Sequence, residues 1–175
     1  MNIEKFDIIG KAHVYGDDIN TDLIIPGKYT KTLDLKSLAA HVLEDLDPDF
    51  RNRVQPGDIL VAGDNFGCGS SREQAPIALK SAGVSVVIAN YFARIFFRNA
   101  INVGLPVLEV KDFVVKSGDE IGADLKLGRV KNISSAREYS ATKMSEVMIS
   151  ILNEGGLVNY LKRVGDYKID TKQTT

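Results

Sequence analysis

The stretch Asn65-Phe66-Gly67-Cys68-Gly69-Ser70-Ser71-Arg72-Glu73-Gln74, here called the glycine loop, lies between an apolar run and an alanine-rich run. The apolar run, residues 59–62, predicts a strand, and the alanine-rich run, residues 74–82, predicts a helix. Gly67 and Gly69 allow the backbone to turn sharply with positive φ. The residues that follow then reach the first turn of the helix, where unpaired N–H groups attract anions. We therefore interpret the glycine loop as the edge of a site for an acidic small molecule.

Three polar residues follow the second glycine: Ser70, Ser71 and Arg72. Arg72 is a two-pronged donor that matches a carboxylate or a phosphate, and the hydroxyl groups could serve either chemistry or helix capping. A capping box formed by Ser70 with Glu73, or by Ser71 with Gln74, needs no ligand and uses the same groups. The spacing alone leaves both interpretations open.

Known nucleotide and calcium motifs fit this chain poorly. Arg72 stands where the third small residue of a GxGxxG fingerprint belongs, the next apolar run ends at Asn90 rather than at an acid, and no P-loop lysine follows. The segment Asp18-Ile19-Asn20-Thr21-Asp22 begins like a calcium loop, but Leu23 takes the place of the required glycine and Tyr29 that of the glutamate. These polar residues instead predict Asx-type turns.

The chain has one cysteine and two histidines, which limits its metal chemistry. They cannot form an internal disulfide, an iron–sulfur site or a structural zinc site of the usual thiolate type. Cys68, beside a predicted helix N-terminus, is either a thiol of lowered pKa that acts as a nucleophile or a small residue that suits a tight turn. His41 falls on or beside the apolar stripe of a predicted helix, which favours a structural role.

Length and composition predict one domain, residues 1–164, followed by a polar tail, residues 165–175. Hydrophobic residues make up 44% of the chain, charged residues 26%, and the net charge is −1, so nothing favours nucleic acid or a membrane as partner. No apolar run approaches the length of a membrane span, and the N-terminus lacks a secretory signal pattern. The sequence therefore predicts a cytoplasmic protein.

Hydrophobic periodicity predicts that strands and helices alternate along the chain. The predicted strands cover residues 11–15, 59–62, 84–89 and 105–110, with a hairpin or bulge at Gly128 within residues 125–133. The predicted helices cover residues 35–43, 47–54, 74–82, 91–103, 145–152 and 157–163. The glycine loop thus lies in a βαβ-like unit at the carboxyl end of a strand, where α/β sheets often bind ligands.

The predicted helix over residues 91–103 carries two kinds of side chain. Phe92 and Phe96 predict a core face. Arg94 and Arg98 lie one turn apart, and their spacing favours a solvated or inter-subunit face over direct contact with substrate.

Three blocks of the sequence, in the same order as in the family, resemble the small subunit of 3-isopropylmalate dehydratase, a member of the aconitase superfamily. The glycine loop, extended by Ala75-Pro76, is similar to the family signature. Asp18-Ile19-Asn20-Thr21-Asp22-Leu23-Ile24-Ile25-Pro26 resembles the first of the family's blocks, which is a loop. Phe92-Ala93-Arg94-Ile95-Phe96, with Arg98-Asn99 and Gly104-Leu105-Pro106, resembles its third block.

The resemblance implies a fold, an activity and a partner. The fold would be α/β, a single aconitase-type swivelling β/β/α domain. The activity would be the dehydration and rehydration that interconverts 2-isopropylmalate and 3-isopropylmalate in leucine biosynthesis. It would require a large subunit carrying a [4Fe–4S] cluster, in a heterodimer or heterotetramer, and a small hydroxy di- or tricarboxylic acid as substrate. No metal ligand is implied on this chain.

The resemblance also implies roles for residues of the site. Ser70 would be the catalytic base, in an electropositive pocket where Arg72 and the helix N-terminus stabilise its alkoxide-like form. Ser71 and Arg72 would hold a substrate carboxylate. The residues that would support the loops are Asp22, Asn65, Gly67, Cys68 and Gly69.

A short segment after Pro26 bears on the choice of substrate. Relatives commonly follow Pro-Gly-Lys-Tyr with leucine and then a variable pair: apolar or aromatic residues accompany isopropylmalate, and arginine followed by threonine accompanies homoaconitase. This chain has Thr30-Lys31-Thr32 after Tyr29, and all four are candidate substrate-binding residues. A third carboxylate needs a cation, so Lys31 favours a more acidic substrate. A lysine that reaches solvent, beside threonine methyl groups, would also suit isopropylmalate.

Two alternatives to isopropylmalate therefore stay open within the family. They are homoaconitase and a dehydratase of a methyl-substituted malate, such as citramalate or dimethylmalate. A non-catalytic module that binds carboxylates at the helix end is the alternative from another class.

Overall fold

A seven-stranded sheet organises the part of the chain that the computed structural model describes, residues 6–165. The strands are β1 (Ile8–Val14), β2 (Ile59–Ala62), β3 (Val86–Ala89), β4 (Val107–Glu109), β5 (Glu120–Asp124), β6 (Arg129–Asn132) and β7 (Arg137–Ser140). The α-helices are α1 (Thr21–Ile24), α2 (Leu35–Ala40), α3 (Phe50–Arg53), α4 (Gln74–Ser81), α5 (Arg94–Val103), α6 (Glu146–Asn153) and α7 (Leu157–Val164). A 3₁₀ turn covers Gly27–Tyr29. None of the helices within residues 6–165 is long and apolar enough to cross a membrane.

The sheet joins a parallel half to an antiparallel half, in the order β4-β3-β2-β1-β5-β6-β7. Strands β1 to β4 pair in parallel, whereas β5 pairs antiparallel with β1 and starts the meander β5-β6-β7. Every residue of β2 and β3 is buried, as expected for apolar strands in the parallel half of a covered sheet. The carboxyl ends of the four parallel strands share one edge, here called the carboxyl edge. The loops after β1, β2 and β3 emerge there.

An aromatic cluster anchors the glycine loop to helix α5. Phe66, Phe92 and Phe96 are buried, and the rings of Phe66 and Phe96 meet edge to face with centroids 5.1 Å apart. Phe92 and Phe96 stack with centroids 6.1 Å apart. Such pairs favour fixed geometries, so the start of the glycine loop has a defined position over α5.

The predicted βαβ-like unit is confirmed. Strand β2, the glycine loop, α4 and β3 follow one another, and β2 and β3 pair in parallel. Pro76 lies in the first turn of α4, where its missing N–H has no helical partner to lose. The predicted hairpin is also confirmed: β5 and β6 flank Gly128, whose φ is +62°.

Three predicted helices are clearly shorter in the structure. The helix expected over residues 91–103 begins only at Arg94, because the preceding chain is extended and pairs with the glycine loop. Phe66 N–H donates to the carbonyl of Tyr91 (3.0 Å), and Ala93 N–H donates to the carbonyl of Phe66 (2.9 Å). The helix expected over residues 35–43 ends at Ala40.

The early end of α2 has a tertiary cause. Leu43 adopts a φ of +55° and donates its N–H to the carbonyl of Ile24 (2.8 Å), which is incompatible with continued helix. The helix expected over residues 47–54 is likewise shorter, because turns precede its start at Phe50. The other predicted elements match or differ only at their ends. The boundary before the polar tail stays a prediction, because residues 166–175 lie outside the described residues.

Asp58 ties the start of β2 to β1. Its carboxylate lies 2.8 Å from His13 Nε2 and accepts the backbone N–H groups of Gln55 (2.9 Å) and Lys11 (3.3 Å). Burial alone would raise the pKa of Asp58, but the hydrogen bonds from His13 and the two backbone N–H groups outweigh it and hold the pKa below its usual range.

We expect Asp58→Asn to lower the free energy of unfolding at pH 7 by about 1–3 kcal/mol, because an amide NH₂ would face a backbone N–H donor. A folded-state pKa below the unfolded value contributes stability above the unfolded pKa of about 3.9, and that stability is lost as pH falls through the folded pKa. Urea unfolding between pH 7 and pH 3 should therefore show a smaller loss of stability with acid in Asp58→Asn than in the native chain. Asp45→Asn, at an exposed position, is the control. An equal acid response in all three proteins would contradict this account.

Candidate active site

Two loops meet at the carboxyl edge: the first loop, residues 16–22 after β1, and the glycine loop after β2. Because β1 and β2 are parallel neighbours, their loops leave the sheet side by side. Backbone hydrogen bonds continue the pairing beyond the strands, and we call this set the loop zipper. Its bonds run from Gly63 N to Gly16 O (3.1 Å), Asp18 N to Asp64 O (2.9 Å), Gly67 N to Ile19 O (2.7 Å) and Thr21 N to Cys68 O (2.9 Å).

Side chains reinforce the loop zipper. The carboxylate of Asp17 accepts the N–H of Asp64 (2.8 Å), and the carboxylate of Asp18 accepts Asn65 Nδ2 (2.8 Å). Asp18 and Asn65 have φ values of +54° and +60°, which aspartate and asparagine tolerate better than other side chains. Asn65 thus holds the first loop, and its supporting role in an active site stays a prediction.

The end of the first loop is helical rather than a series of Asx turns. Asn20 caps α1, its side chain accepting the N–H of Leu23 (2.9 Å). The next residue, Thr21, is buried and donates its hydroxyl to the carbonyl of Ser70 (2.9 Å). Sequence reasoning did not single out Thr21, although an asparagine followed by Thr-Asp is a recognisable helix start.

The glycine loop itself turns as predicted, with φ values of +77° at Gly67 and +89° at Gly69. A Cβ at Gly67 would lie 2.2 Å from Phe96 Cγ, so this position also requires the absence of a side chain. Cys68 does not have a lowered pKa: burial, aided by the nearby charge of Asp18, raises the pKa of its thiol. Of the two roles considered for Cys68, a small residue in a tight turn therefore fits better than an activated nucleophile.

Neither predicted capping box forms. Helix α4 begins at Gln74 with Glu73 as its N-cap, and the Glu73 side chain makes no capping hydrogen bond. Ser70 and Ser71 precede the helix instead of lying in its first turn, because the loop zipper reaches Cys68 and the Thr21 hydroxyl then holds the carbonyl of Ser70 against the first loop. Both serine side chains are exposed, and within residues 6–165 neither hydroxyl has a hydrogen bond. Their hydroxyl groups are thus available to a ligand.

Arg72 lies between the two loops. Its Nη1 pairs with the carboxylate of Asp22 and also approaches the carbonyl of Ile25 (3.3 Å). The Arg72 side chain is 21% exposed, and that of Asp22 is 60% exposed. Gly27 leaves room for the guanidinium, since a Cβ there would lie 3.3 Å from Nη2. Asp22 therefore orients Arg72, while Nε and Nη2 have no hydrogen bond within the described residues.

Tyr29 belongs to a stack of side chains. Its ring lies parallel to that of His41 with centroids 3.6 Å apart, and Lys28 Nζ lies 4.8 Å from the ring centroid. His41 Nδ1 lies 2.6 Å from a carboxylate oxygen of Glu44. These contacts agree with the structural role predicted for His41. Contact of Tyr29 with substrate stays a prediction.

The three residues after Tyr29 differ in how firmly they are held. The hydroxyl of Thr30 donates to the carbonyl of Gly27 (2.8 Å), and its carbonyl accepts Gln74 Nε2 (3.0 Å), which links this segment to the start of α4. Lys31 is exposed and has no ion pair within residues 6–165. Thr32 accepts the N–H of Asp34 (3.0 Å) through its hydroxyl. Gln74, which the sequence suggested as a capping residue, thus holds the Thr30 segment instead.

The side chains of this chain do not fit a [4Fe–4S] cluster. Such a cluster takes several thiolates, and Cys68 is the only cysteine in the sequence. In the region that the structure describes, no group of three or more histidine, cysteine, aspartate or glutamate side chains is placed to hold a metal ion.

Comparison with known proteins gives matches over most of the chain. Residues 16–112 match the family described as the aconitase C-terminal domain. The chain is 55% identical over 163 residues to a protein of Caldicellulosiruptor bescii named 3-isopropylmalate dehydratase small subunit, covering 92% of this chain and 97% of that one. It is 52% identical over 158 residues to the methanogen homoaconitase small subunit of Methanothermobacter thermautotrophicus, covering 90% of this chain and 92% of that one.

A solved structure agrees with these matches. The crystal structure of 3-isopropylmalate dehydratase (LeuD) from Methanocaldococcus jannaschii superimposes with a TM-score of 0.85 at 47% identity, covering 89% of this chain and 93% of that one. The predicted aconitase-type α/β fold is thereby confirmed. The chain belongs to the aconitase family, among the small subunits of the 3-isopropylmalate dehydratase type.

Proposed function

We propose that this chain is the small subunit of a cytoplasmic hydro-lyase that interconverts 2-isopropylmalate and 3-isopropylmalate in leucine biosynthesis. The names of its relatives support this activity. The observation that carries the site assignment is a pair of exposed serine hydroxyls, without hydrogen bonds in the described part of the chain, beside a guanidinium that Asp22 engages through Nη1. A hydroxy acid offers a carboxylate to such a guanidinium and a weakly acidic C–H to a nearby base.

We assign proton abstraction to Ser70. Its main chain is fixed by the hydroxyl of Thr21, so its side chain projects from a rigid point of the loop. A serine hydroxyl is a weak base and needs positive surroundings to act as one. The guanidinium of Arg72 and the positive end of the α4 helix dipole supply them. Arg72 and Ser71 would then hold the substrate carboxylate.

We further propose that a large subunit completes this site. Ser70 and Ser71 are exposed at the carboxyl edge, whereas such chemistry runs in a site closed to water. Since the side chains here do not fit a cluster, we place the [4Fe–4S] cluster on the partner, where it would act as a Lewis acid that helps hydroxide leave.

We expect the purified chain alone to be colourless, free of iron and inactive on 2-isopropylmalate, because its single cysteine cannot hold a cluster. Anaerobic mixing with the large subunit from the same organism, its cluster reconstituted, should give turnover that depends on both chains. The measurements are visible absorbance, iron content and substrate consumption. Turnover by the chain alone would contradict the proposal. Saturable binding of hydroxy diacids, without activity alongside any large subunit, would instead favour the non-catalytic carboxylate-binding module.

One observation favours a second candidate substrate. Lys31 is exposed and without an ion pair in residues 6–165, in the segment that tracks substrate among relatives, and one close relative is named a homoaconitase small subunit. A cation here would suit the third carboxylate of a homoaconitate-type triacid.

If Lys31 contacts that carboxylate, Lys31→Val should shift the kcat/KM ratio of triacid to alkylmalate by about tenfold or more towards the alkylmalate. The panel should include isopropylmalate, homoaconitate, citramalate and dimethylmalate, so that methyl-substituted malates are tested as well. Lys36→Val, at a nearby exposed position, controls for the loss of a surface charge. An unchanged ratio would show that Lys31 does not select the substrate.

A further inference from the structure

A cleft of about 530 Å³ opens between the start of α5 and the end of β4, lined in part by Tyr91, Arg94, Arg98 and Glu109. A second hollow of about 540 Å³ shares Tyr91 and Glu109 and reaches Asp64, directly before the glycine loop. The bridge between Phe66 and Phe92 holds this surface against the glycine loop. A recessed surface thus runs along the carboxyl edge from Asp64, which directly precedes the glycine loop, to α5.

One face of the α5 segment borders this cleft and is unusual for a surface that only meets water. Tyr91 and Ile95 are 46% and 44% exposed, and Arg94 and Arg98 are exposed beside them. We call these four residues the α5 face. No acidic residue occurs between positions 91 and 103, and within residues 6–165 neither arginine has an ion pair or hydrogen bond. Bulky apolar groups with unpaired arginines are the composition typical of the centre of a protein interface.

We propose that the α5 face docks the large subunit, which presents carboxylate side chains to Arg94 and Arg98. This inference rests on the proposed function and assigns a surface to the partner that it requires. A partner seated here would lie next to the glycine loop and would close the carboxyl edge over Ser70.

The test is the affinity between the full chain and the cluster-loaded large subunit, measured anaerobically. The double variant Arg94→Glu/Arg98→Glu should bind at least ~30-fold more weakly than the native chain, because like charges would face the partner's carboxylates. Added salt should weaken the native complex more than the variant complex. Arg137→Glu makes the same type of change on β7, at the opposite end of the sheet, and should bind within about twofold of the native chain.

Two further measurements separate docking from other roles. Arg94→Lys/Arg98→Lys keeps both charges and should retain most of the affinity. If the double reversal lowers the melting temperature, this variant still tests whether the charges of the two side chains are what the large subunit recognises. At saturating large subunit the double reversal should turn over within about twofold of the native enzyme. If the double reversal binds the large subunit with native affinity, the docking surface is overturned and the proposed function is not. A raised KM with unchanged assembly would also overturn the docking surface, because it would indicate that the arginines contact substrate. Failure of the native chain to bind or activate any large subunit would overturn the proposed function and the docking surface together.

Discussion

Replacement of Ser70 by alanine should lower the turnover of the reconstituted enzyme by at least ~10²-fold, the usual size of a lost acid–base catalyst. Assembly with the large subunit should not change, because the Ser70 hydroxyl has no hydrogen bond within the described residues and the Thr21 hydroxyl bonds the backbone of Ser70. The measurements are kcat and KM of the complex, together with the affinity of the two chains.

Arg72→Lys supplies the contrast, because it changes substrate binding rather than the base. A point charge cannot replace a planar fork, so KM should rise more than kcat falls. Lysine would also lose the geometry of the pair with Asp22. A fully active Ser70→Ala complex would remove Ser70 from the chemistry and leave the glycine loop as a structural turn.

Gly67→Ala should destabilise the fold by about 3 kcal/mol or more, the sum of a left-handed backbone and an overpacked core. The new methyl group would meet the buried ring of Phe96, which cannot move freely because it packs on Phe66 and Phe92. For a chain of this length the melting temperature should fall by about 6–12 °C.

Gly69→Ala is the matched control. Its φ is similarly positive, but the nearest atom to a new Cβ would be Asn20 Cβ at 3.6 Å, an ordinary contact. Only the backbone strain of about 1 kcal/mol remains. Equal losses in the two variants would show that crowding by Phe96 contributes nothing, and thermal unfolding followed by circular dichroism decides between them.

The elements of this fold follow from local patterns that can be read in the sequence. The continuous apolar runs at β2 and β3, and the glycine pair between them, predict a βαβ unit because buried strands and sharp turns need those residue types. Helix ends were predicted less well. The bond from Leu43 to Ile24 ends α2, and the bridge from Phe66 to Phe92 delays α5. Both depend on residues distant in sequence.

The same difference between local patterns and contacts distant in sequence applies to the candidate site. The glycine loop and the serine–arginine cluster could be located from residue type and from family resemblance. The partners that fix them could not, because Thr21 and Asp22 meet Ser70 and Arg72 across 49 and 50 residues of sequence. Gln74 shows the limit most clearly: its spacing suggests a capping box, yet its amide bonds the carbonyl of Thr30. Local spacing cannot distinguish those two outcomes.

The loop zipper also has a consequence for the order of folding. Its side-chain bonds join residues 47 positions apart, and a parallel pair of strands must align before loops at their ends can meet. Closing so long a chain segment costs entropy before any contact repays it, which makes such pairings slow. Ser70 therefore reaches its final position only after β1 and β2 have paired. A nascent chain that has emerged only as far as β1 and α2 has no part of this geometry, because the half of the loop zipper that follows β2 has not yet emerged.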